Sequence, residues 1–249
     1  MSFRQKALLL RLSGSTGRLK TPGKSDMKIT HIYHSGFVIE LDRTVLIFDW
    51  YEGELPQFDP DKKVYVFVTH GRADHYSPRI WSILDKYREI YYILDCCTAP
   101  ERKGDSIFHV QPGRHYKIRN TLIYAIRTND EGVAYVVSSD GYNFFHAGDL
   151  NIWHWKDAAD DQSAYSLKIY RRQIEKISGW RFDAAMLPLD PRLGESAPDA
   201  IAEFMNIATC RYLFPMHYWN KRDEAAFYLE DERLLPYREK ICFLNEITI

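Results

Sequence analysis

The sequence lacks the features that would indicate a membrane or secreted protein. No apolar run approaches the roughly 20 residues that a transmembrane helix needs. The apolar stretch Ala7–Leu10 is much shorter and is followed at once by Arg11, which disfavours a cleaved secretory signal. We therefore expect a cytoplasmic protein that does not associate with a membrane.

Neither sign of charge dominates, and several common motifs are missing. The 33 Lys and Arg residues and 34 Asp and Glu residues give a formal net charge of -1, so no electrostatic argument favours a nucleic-acid partner. The chain has no G-x-S-x-G elbow, P-loop or G-x-G-x-x-G sequence, so neither a serine hydrolase nor a nucleotide-binding protein is indicated. We expect a small-molecule substrate, with an anionic one among the options. The oligomeric state leaves no mark in the sequence.

Cysteine is also scarce. The four cysteines form no C-x-x-C pair, and a chain of 249 residues does not need disulfides to be stable. Cys96 and Cys97 follow the strand-like run Tyr91–Leu94, so we expect them to be buried as small apolar residues and not to bind a metal.

The chain divides at Met27. Residues 1–26 carry six Lys and Arg residues against one acid, Asp26, and several glycines interrupt them. We interpret residues 1–26 as a basic, loosely ordered N-terminal extension, with a basic arm for a partner as the alternative reading. Residues 27–249 are expected to form one domain, because no repeat or low-complexity tract interrupts them.

Regular patterning from Met27 onward predicts strands first and then strands mixed with helices. The Asp140-Gly141 pair is a strong hairpin signal. Apolar residues at helical spacing predict helices over residues 78–87, 161–177 and 198–208. Short β-branched and aromatic runs predict strands over residues 29–32, 37–41, 45–48, 64–68, 91–94, 116–118, 122–126, 134–137, 142–146, 182–187 and 212–214.

The loop Thr69–His75 carries the first group of candidate metal ligands. It follows the apolar run Val64–Val68, and it places His70, Asp74 and His75 within six residues. Neutral imidazoles and carboxylates are the ligands with which a protein holds a divalent ion that activates water. The loop therefore predicts part of a metal site at the end of a buried strand.

Two more candidates occupy equivalent positions later in the chain. Asp149 comes shortly after the strand-like run Tyr142–His146, and His217 follows the run Tyr212–Phe214. Strand ends of one sheet can converge on one edge, although a single His or Asp at such a place is more often a structural residue. Together these positions give the predicted metal ligands: His70, Asp74, His75, Asp149 and His217.

The ordered motifs resemble those of the metallo-β-lactamase fold hydrolases, in particular the lactonase-like branch of metal-dependent hydrolases. The resemblance runs from Met27 over nearly the whole chain, and it includes the turn Tyr33–Phe37 and the strand end Ile47–Asp49. It implies an α+β fold, a four-layer αββα sandwich with the metal site at one edge. It also implies that activated water attacks a small ester, lactone, amide or phosphodiester.

The sequence departs from the family pattern at two places. Arg72 stands where the family loop has its second histidine, and the stretch Thr128–Gly132 lacks the histidine that the family has before a glycine. The resemblance implies that the first metal site retains only His70 and the shared Asp149. It also implies that the second site, formed by Asp74, His75 and His217 with Asp149, is complete.

These departures lead to three hypotheses. In the first, one divalent ion binds, with Zn²⁺ favoured and Mn²⁺ as the alternative, and the catalytic residues are His70, Asp74 and Arg72. There Arg72, which cannot ligate a metal, holds an anionic group of the substrate, and His70 acts as general base. In the second, Arg72 pairs with Asp74 or Asp149 and the protein is an inactive binding or interaction module. In the third, Asn129 or Asp130 supplies an oxygen ligand for a harder ion.

Three further residues have open roles. His34 lies near the site by the resemblance, but a histidine bonded to backbone is an equal alternative. His154 belongs to the aromatic stretch Asn151–Trp155, which either lines a substrate pocket or packs on the following helix. Asp49, at its strand end, is expected to orient a ligand histidine.

Overall fold

The computed structural model describes residues 27–83, 86–157 and 159–248. The predicted basic extension, residues 1–26, lies outside the described residues. None of the described helices is long and apolar enough to cross a bilayer.

The described residues form thirteen strands in two sheets. The first sheet has the strand order β13-β1-β2-β3-β4-β5-β6 and the second has the order β12-β11-β10-β9-β8-β7. In chain order the strands are β1 Lys28–Tyr33, β2 Gly36–Glu40, β3 Thr44–Phe48, β4 Lys63–Val68, β5 Glu89–Asp95, β6 Ile107–Val110, β7 His115–Ile118, β8 Thr121–Arg127, β9 Val133–Ser139, β10 Tyr142–His146, β11 Arg181–Pro188, β12 Thr209–Met216 and β13 Glu246–Thr248.

The helices are fewer and shorter than the strands. The α-helices are α1 Asp160–Ile174, α2 Asp199–Ile207 and α3 Arg222–Tyr228. Four 3₁₀ helices cover Pro78–Ile83, Glu175–Ile177, Pro191–Ser196 and Leu235–Lys240. The helices predicted over 161–177 and 198–208 are confirmed. The one predicted over 78–87 is described only as the 3₁₀ helix, which places its apolar side chains Ile80 and Ile83 in the core at a spacing of three residues.

Both faces of the first sheet are covered, which explains its continuous apolar strands. Along β4, Tyr65 and Phe67 face the core between the two sheets, while Val64 and Val66 pack on the opposite side with Ile80. Alternate side chains of a strand point to opposite faces, so a strand buried on both faces needs apolar residues throughout. Helix α2 packs on the second sheet against β11 and β12. The result is the predicted α+β arrangement of two stacked sheets with helical segments outside.

The strand directions bring many carboxyl ends to one edge. Strands β3, β4, β5 and β6 run parallel, as do β10, β11 and β12. Strand β2 is antiparallel to both β1 and β3, so β1 runs in the same direction as β3. Strand β9 is antiparallel to both β8 and β10, so β8 runs in the same direction as β10. Carboxyl ends of parallel strands meet at one edge, where loops are free to carry functional side chains. Asp49, His70, Asp149 and His217 all follow such strand ends.

Cys96 and Cys97 are not buried as predicted. Strand β5 ends at Asp95, and the two cysteines lie in the turn beyond it. Cys96 is partly exposed and Cys97 is exposed. The apolar strand before them suggested burial, but the strand ends one residue before the pair.

Gly132 lets the β8–β9 hairpin approach the loop Thr69–His75. It has a φ of +70°, and a Cβ at this position would lie 2.0 Å from the carbonyl oxygen of Thr69. The neighbouring amide of Val133 donates a hydrogen bond of 2.9 Å to that same oxygen. A side chain at Gly132 would therefore force the hairpin away from the loop that carries His70.

We expect Gly132→Ala to reduce stability much more than Gly113→Ala. Gly113 has a similar φ of +81° but nothing within 4 Å of a built Cβ, so it isolates backbone strain of about 1–2 kcal/mol. The alanine at 132 adds overpacking of roughly 1–3 kcal/mol. Urea denaturation measures both variants, and equal losses would show that the close approach to Thr69 is unimportant.

Candidate metal centre

Asp49 and Thr69 fix the orientation of His75. The Asp49 carboxylate accepts hydrogen bonds from the Thr69 amide at 2.8 Å and from the Thr69 hydroxyl at 2.7 Å. It also lies 2.7 Å from Nδ1 of His75, which must carry the proton toward the carboxylate. The Nε2 atom of His75 therefore faces the cluster, 3.1 Å from Oδ1 of Asp149. The predicted contact between Asp49 and a candidate ligand histidine is confirmed.

Asp149 joins residues from both sheets. Its Oδ1 lies 3.1 Å from Nε2 of His75 and 3.3 Å from Nε2 of His217, and its Oδ2 lies 3.3 Å from Nε2 of His70. The Oδ1 atom and the Nε2 atoms of His70 and His75 are buried without a hydrogen-bond partner among the described residues. Several polar atoms thus converge without satisfying one another.

A second carboxylate orients His217 as Asp49 orients His75. The Oδ2 atom of Asp190 lies 3.1 Å from Nδ1 of His217, so Nε2 of this ring also faces the cluster. The same carboxylate holds the guanidinium of Arg192 at 2.9 and 3.0 Å. We did not predict Asp190 from the sequence. The signal was present, because Asp190 follows the buried end of β11 in the same way that Asp49 follows β3.

His34 also belongs to the cluster. Its ring is completely buried, and its Nε2 lies 3.8 Å from Oδ2 of Asp74 without a hydrogen-bond partner among the described residues. One potential ligand atom from each of His34, Asp74, His75 and His217 lies within 4.8 Å of the others. A second group with this spacing contains His70, His75 and Asp149. The carbonyl of His34 accepts a 3.1 Å hydrogen bond from the His217 amide, which ties the turn to the end of β12.

The buried carboxylates of Asp49 and Asp149 favour positive charge in the cluster. Burial alone would lower the pKa of His75, but the carboxylates of Asp149 and Asp49 raise it to about 10. Burial would raise the pKa of Asp149, yet the His75 and His217 imidazoles hold it well below its usual range. Burial lowers the pKa of His34, which favours the neutral, ligating form. A divalent ion can replace protons in such a cluster, because metal ligands bind in their deprotonated forms.

The donor set fits a divalent metal ion. Four imidazoles and two carboxylates converge, and their buried polar atoms would otherwise stay unpaired at considerable cost. Three non-glycine residues at the site have left-handed backbone angles: His34 at φ 53°, Asp49 at φ 43° and His217 at φ 68°. Such strain occurs mainly where a fold holds functional side chains in fixed positions.

Arg72 is paired with the hairpin that lacks the family histidine. Its guanidinium makes two hydrogen bonds to Asp130, at 2.8 and 2.9 Å, and an ion pair with Glu131 at 2.6 Å. Asp149 lies farther away, at 3.9 Å. The second hypothesis named Asp74 or Asp149 as the partner of Arg72. The main partners, Asp130 and Glu131, were therefore not predicted from the sequence. The two positions that depart from the family pattern are thus in direct contact.

The remaining open residues have structural partners. The side-chain amide of Asn129 donates to the carbonyl of Asn151 at 2.7 Å, and its oxygen accepts from the Asn151 amide at 3.2 Å. Both Asp130 oxygens accept from Arg72, so neither residue directs a free oxygen at the cluster. His154 lines a separate groove between α1 and α2.

A cavity of about 390 Å³ opens beside the cluster. On the metal side it is lined by Asp74, Asp149 and His217, and on the hairpin side by Arg72, Asn129 and Asp130. The remaining wall consists of Trp153, Trp155, Arg192 and Trp219. The size suits a small molecule, and the mixture of aromatic walls with a few polar groups is typical of ligand pockets.

Comparison with known proteins agrees with the fold. No protein-family profile matches the chain. A UPF0173 metal-dependent hydrolase from Opitutus terrae is 24% identical over 211 residues, which cover 77% of this chain and 85% of that protein. A metallo hydrolase from the hyperthermophilic archaeon Ignicoccus hospitalis aligns with a TM-score of 0.60 at 16% identity, covering 90% of this chain and 99% of that one.

A third similar protein is described by its fold. A metallo-β-lactamase fold protein from Bacillus subtilis aligns with a TM-score of 0.50 at 12% identity, covering 81% of this chain and 92% of that one. The two-sheet sandwich with a histidine and aspartate cluster at one edge is the architecture that the sequence resemblance implied. The chain therefore has the metallo-β-lactamase fold, and the UPF0173 metal-dependent hydrolases are its relatives.

Proposed function

We propose that this protein is a metal-dependent hydrolase that holds one divalent ion and cleaves a small ester, lactone, amide or phosphodiester. The observation that supports this most strongly is the group of orphaned polar atoms around Asp149. The Oδ1 atom of Asp149 and Nε2 of His75 are 3.1 Å apart, and neither has a hydrogen-bond partner among the described residues. An ion between these groups would satisfy both at once.

His34, Asp74, His75 and His217 would hold the ion together with Asp149. Three imidazole nitrogens favour Zn²⁺, and Mn²⁺ is the alternative. His34 thereby joins the ligand set that the sequence analysis proposed. His70 approaches Oδ2 of Asp149, and with 1% of its side chain exposed it supports that carboxylate better than it could serve as a general base.

Arg72 takes the place of a first metal ion as a fixed positive charge. Asp130 and Glu131 already hold its guanidinium, and the Asp130 hydrogen bonds are the main reason that its pKa is raised. A guanidinium held by two carboxylates has little charge left for a substrate anion. We therefore assign Arg72 to anchoring the β8–β9 hairpin over the site, in preference to gripping an anionic substrate.

The protein supplies orientation and proton transfer around the bound ion. When bound, a divalent ion polarises the scissile group and activates water for attack. Asp49 and Asp190 keep Nδ1 of His75 and His217 protonated, so each Nε2 lone pair stays directed inward. Asp74 is the cluster member with the most exposed side chain, 33%, and it lines the cavity. We assign Asp74 the additional role of accepting the proton of the attacking water and returning it to the leaving group.

We expect one tightly held zinc ion per chain after chelator washing and reloading. The double variant Arg72→His with Asp130→His should take up close to two ions, since it restores imidazoles and removes the fixed charge. The matched control is Arg171→His with Glu203→His, which removes a similar bidentate ion pair on the protein surface. Elemental analysis gives the stoichiometry, and a panel of lactones, esters and phosphodiesters reports hydrolysis.

Two results would contradict the single-ion proposal. Two tightly held ions in the unmodified protein would show that Arg72 does not replace a metal. A site that stays empty at neutral pH with ample zinc would favour the alternative, an inactive binding module in which Arg72 and the hairpin acids have closed the site. In that case the protein should hydrolyse no member of the substrate panel.

Asp190→Ala should weaken metal binding by roughly 10–100-fold, because loss of the group that orients a ligand histidine has this effect in other metal sites. The control is Asp231→Ala. Asp231 holds Arg233 in the same Asp-x-Arg arrangement, with a 2.7 Å contact to Nε, but contacts none of the described cluster residues. Competition with a fluorescent zinc chelator measures both affinities. If the two variants bind zinc equally well, Asp190 serves only to hold Arg192.

A further inference from the structure

A closed ring of neighbouring aromatic and cationic side chains surrounds one side of the candidate metal centre. Between ring centroids, the distances are 5.7 Å for Trp153 and Trp155, 4.0 Å for Trp219 and His34, 4.2 Å for His34 and His217, and 5.4 Å for His217 and Trp153. The guanidinium carbon of Arg192 closes the ring, at 5.2 Å from the centroid of Trp155 and 4.1 Å from that of Trp219. We call these six residues the aromatic collar. Two of its members are proposed metal ligands, so the collar begins at the reacting centre.

The collar is more exposed and more strained than packing alone requires. Trp155 is 40% exposed and lines the cavity, although burial of its indole would be favourable. Trp219 has a φ of 45°, a left-handed conformation that is unusual for a large side chain. Backbone strain of this kind persists where the surrounding structure holds a residue for function.

The charges in the cavity do not favour an anionic ligand on this wall. The Arg192 guanidinium is flanked by two indoles, and Asp190 neutralises it through hydrogen bonds of 2.9 and 3.0 Å. Arg72 across the cavity is held by Asp130 and Glu131. What the wall offers is a set of flat apolar faces, and such faces bind other flat rings by offset or edge-to-face contact.

We propose that the aromatic collar binds an uncharged aromatic ring of the substrate next to its scissile ester or lactone bond. This inference rests on the proposed hydrolase function and specifies its substrate class. Because His217 contacts Trp153 and His34 contacts Trp219, a ring held against the indoles lies beside the cluster and not at a remote part of the cavity. Trp155, at the exposed side, is the specificity-determining residue.

The test compares two six-membered lactones, dihydrocoumarin with its fused aromatic ring and δ-valerolactone without one. Trp155→Leu should lower the ratio of their kcat/KM values about tenfold, mainly through the KM for dihydrocoumarin, as loss of one aromatic pair predicts. Trp155→Phe should recover most of the ratio. The control, Tyr165→Leu, removes an aromatic ring that is 67% exposed on α1 and should leave the ratio unchanged.

A ratio that does not change in Trp155→Leu, or that Trp155→Phe fails to recover, would overturn the assignment of the collar. If the unmodified protein hydrolyses neither lactone, binding separates the two proposals. Chroman, the non-hydrolysable ether analogue of dihydrocoumarin, should quench tryptophan fluorescence saturably in the unmodified protein and at least severalfold more weakly in Trp155→Leu. Saturable chroman binding without hydrolysis would contradict the proposed hydrolase function but not the proposed ring-binding site. Absence of saturable chroman binding would contradict the proposal that the aromatic collar binds an aromatic ring.

Discussion

The arrangement of the site depends on one buried carboxylate, that of Asp149. Only 2% of this residue is exposed, and an ionised carboxylate in such a place is tolerated only with compensating charge. His75 and His70 reach it from the first sheet, and His217 reaches it from the second. The electrostatic demand of Asp149 therefore holds the two sheet edges together. Gly148, the residue before Asp149, permits this close approach, since a Cβ at this position would lie 2.9 Å from the Thr69 side chain.

Arg72 adds positive charge near the Asp149 carboxylate. A second metal ion would place two positive charges beside Asp149, whereas Arg72 places one charge there, 3.9 Å away, and gives most of its hydrogen bonds to the hairpin. An ion pair thereby joins the loop that carries Arg72 to the hairpin that carries Asp130. An exposed ion pair contributes little stability by itself. Its role here is geometric, because it spans the gap between the loop and the hairpin.

Strand ends made much of the site predictable from the sequence. A strand such as β4, buried on both faces, has a continuous apolar run, so the polar residues that follow it stand out. Strands β6 and β13 were missed because they are short edge strands with polar and partly exposed residues. The ion pair between Arg72 and Asp130 joins residues 58 positions apart, and no local pattern encodes it. Likewise, Trp219 and Arg192 form the collar only after β11 and β12 pair.

Asp190 connects the chemistry of the site to its substrate wall. One carboxylate orients His217 toward the histidine and aspartate cluster and also fixes Arg192 between Trp155 and Trp219. A rotation of Asp190 would therefore disturb a ligand and the collar together. Asp49 has no such double role, since its described partners are Thr69 and His75. The two carboxylates orient equivalent histidines, but only the one on the second sheet also shapes the pocket. Because the proposed metal ligand His217 and the aromatic collar share one support, the fold and not a flexible loop would set the distance between a ring bound by the collar and the proposed ion.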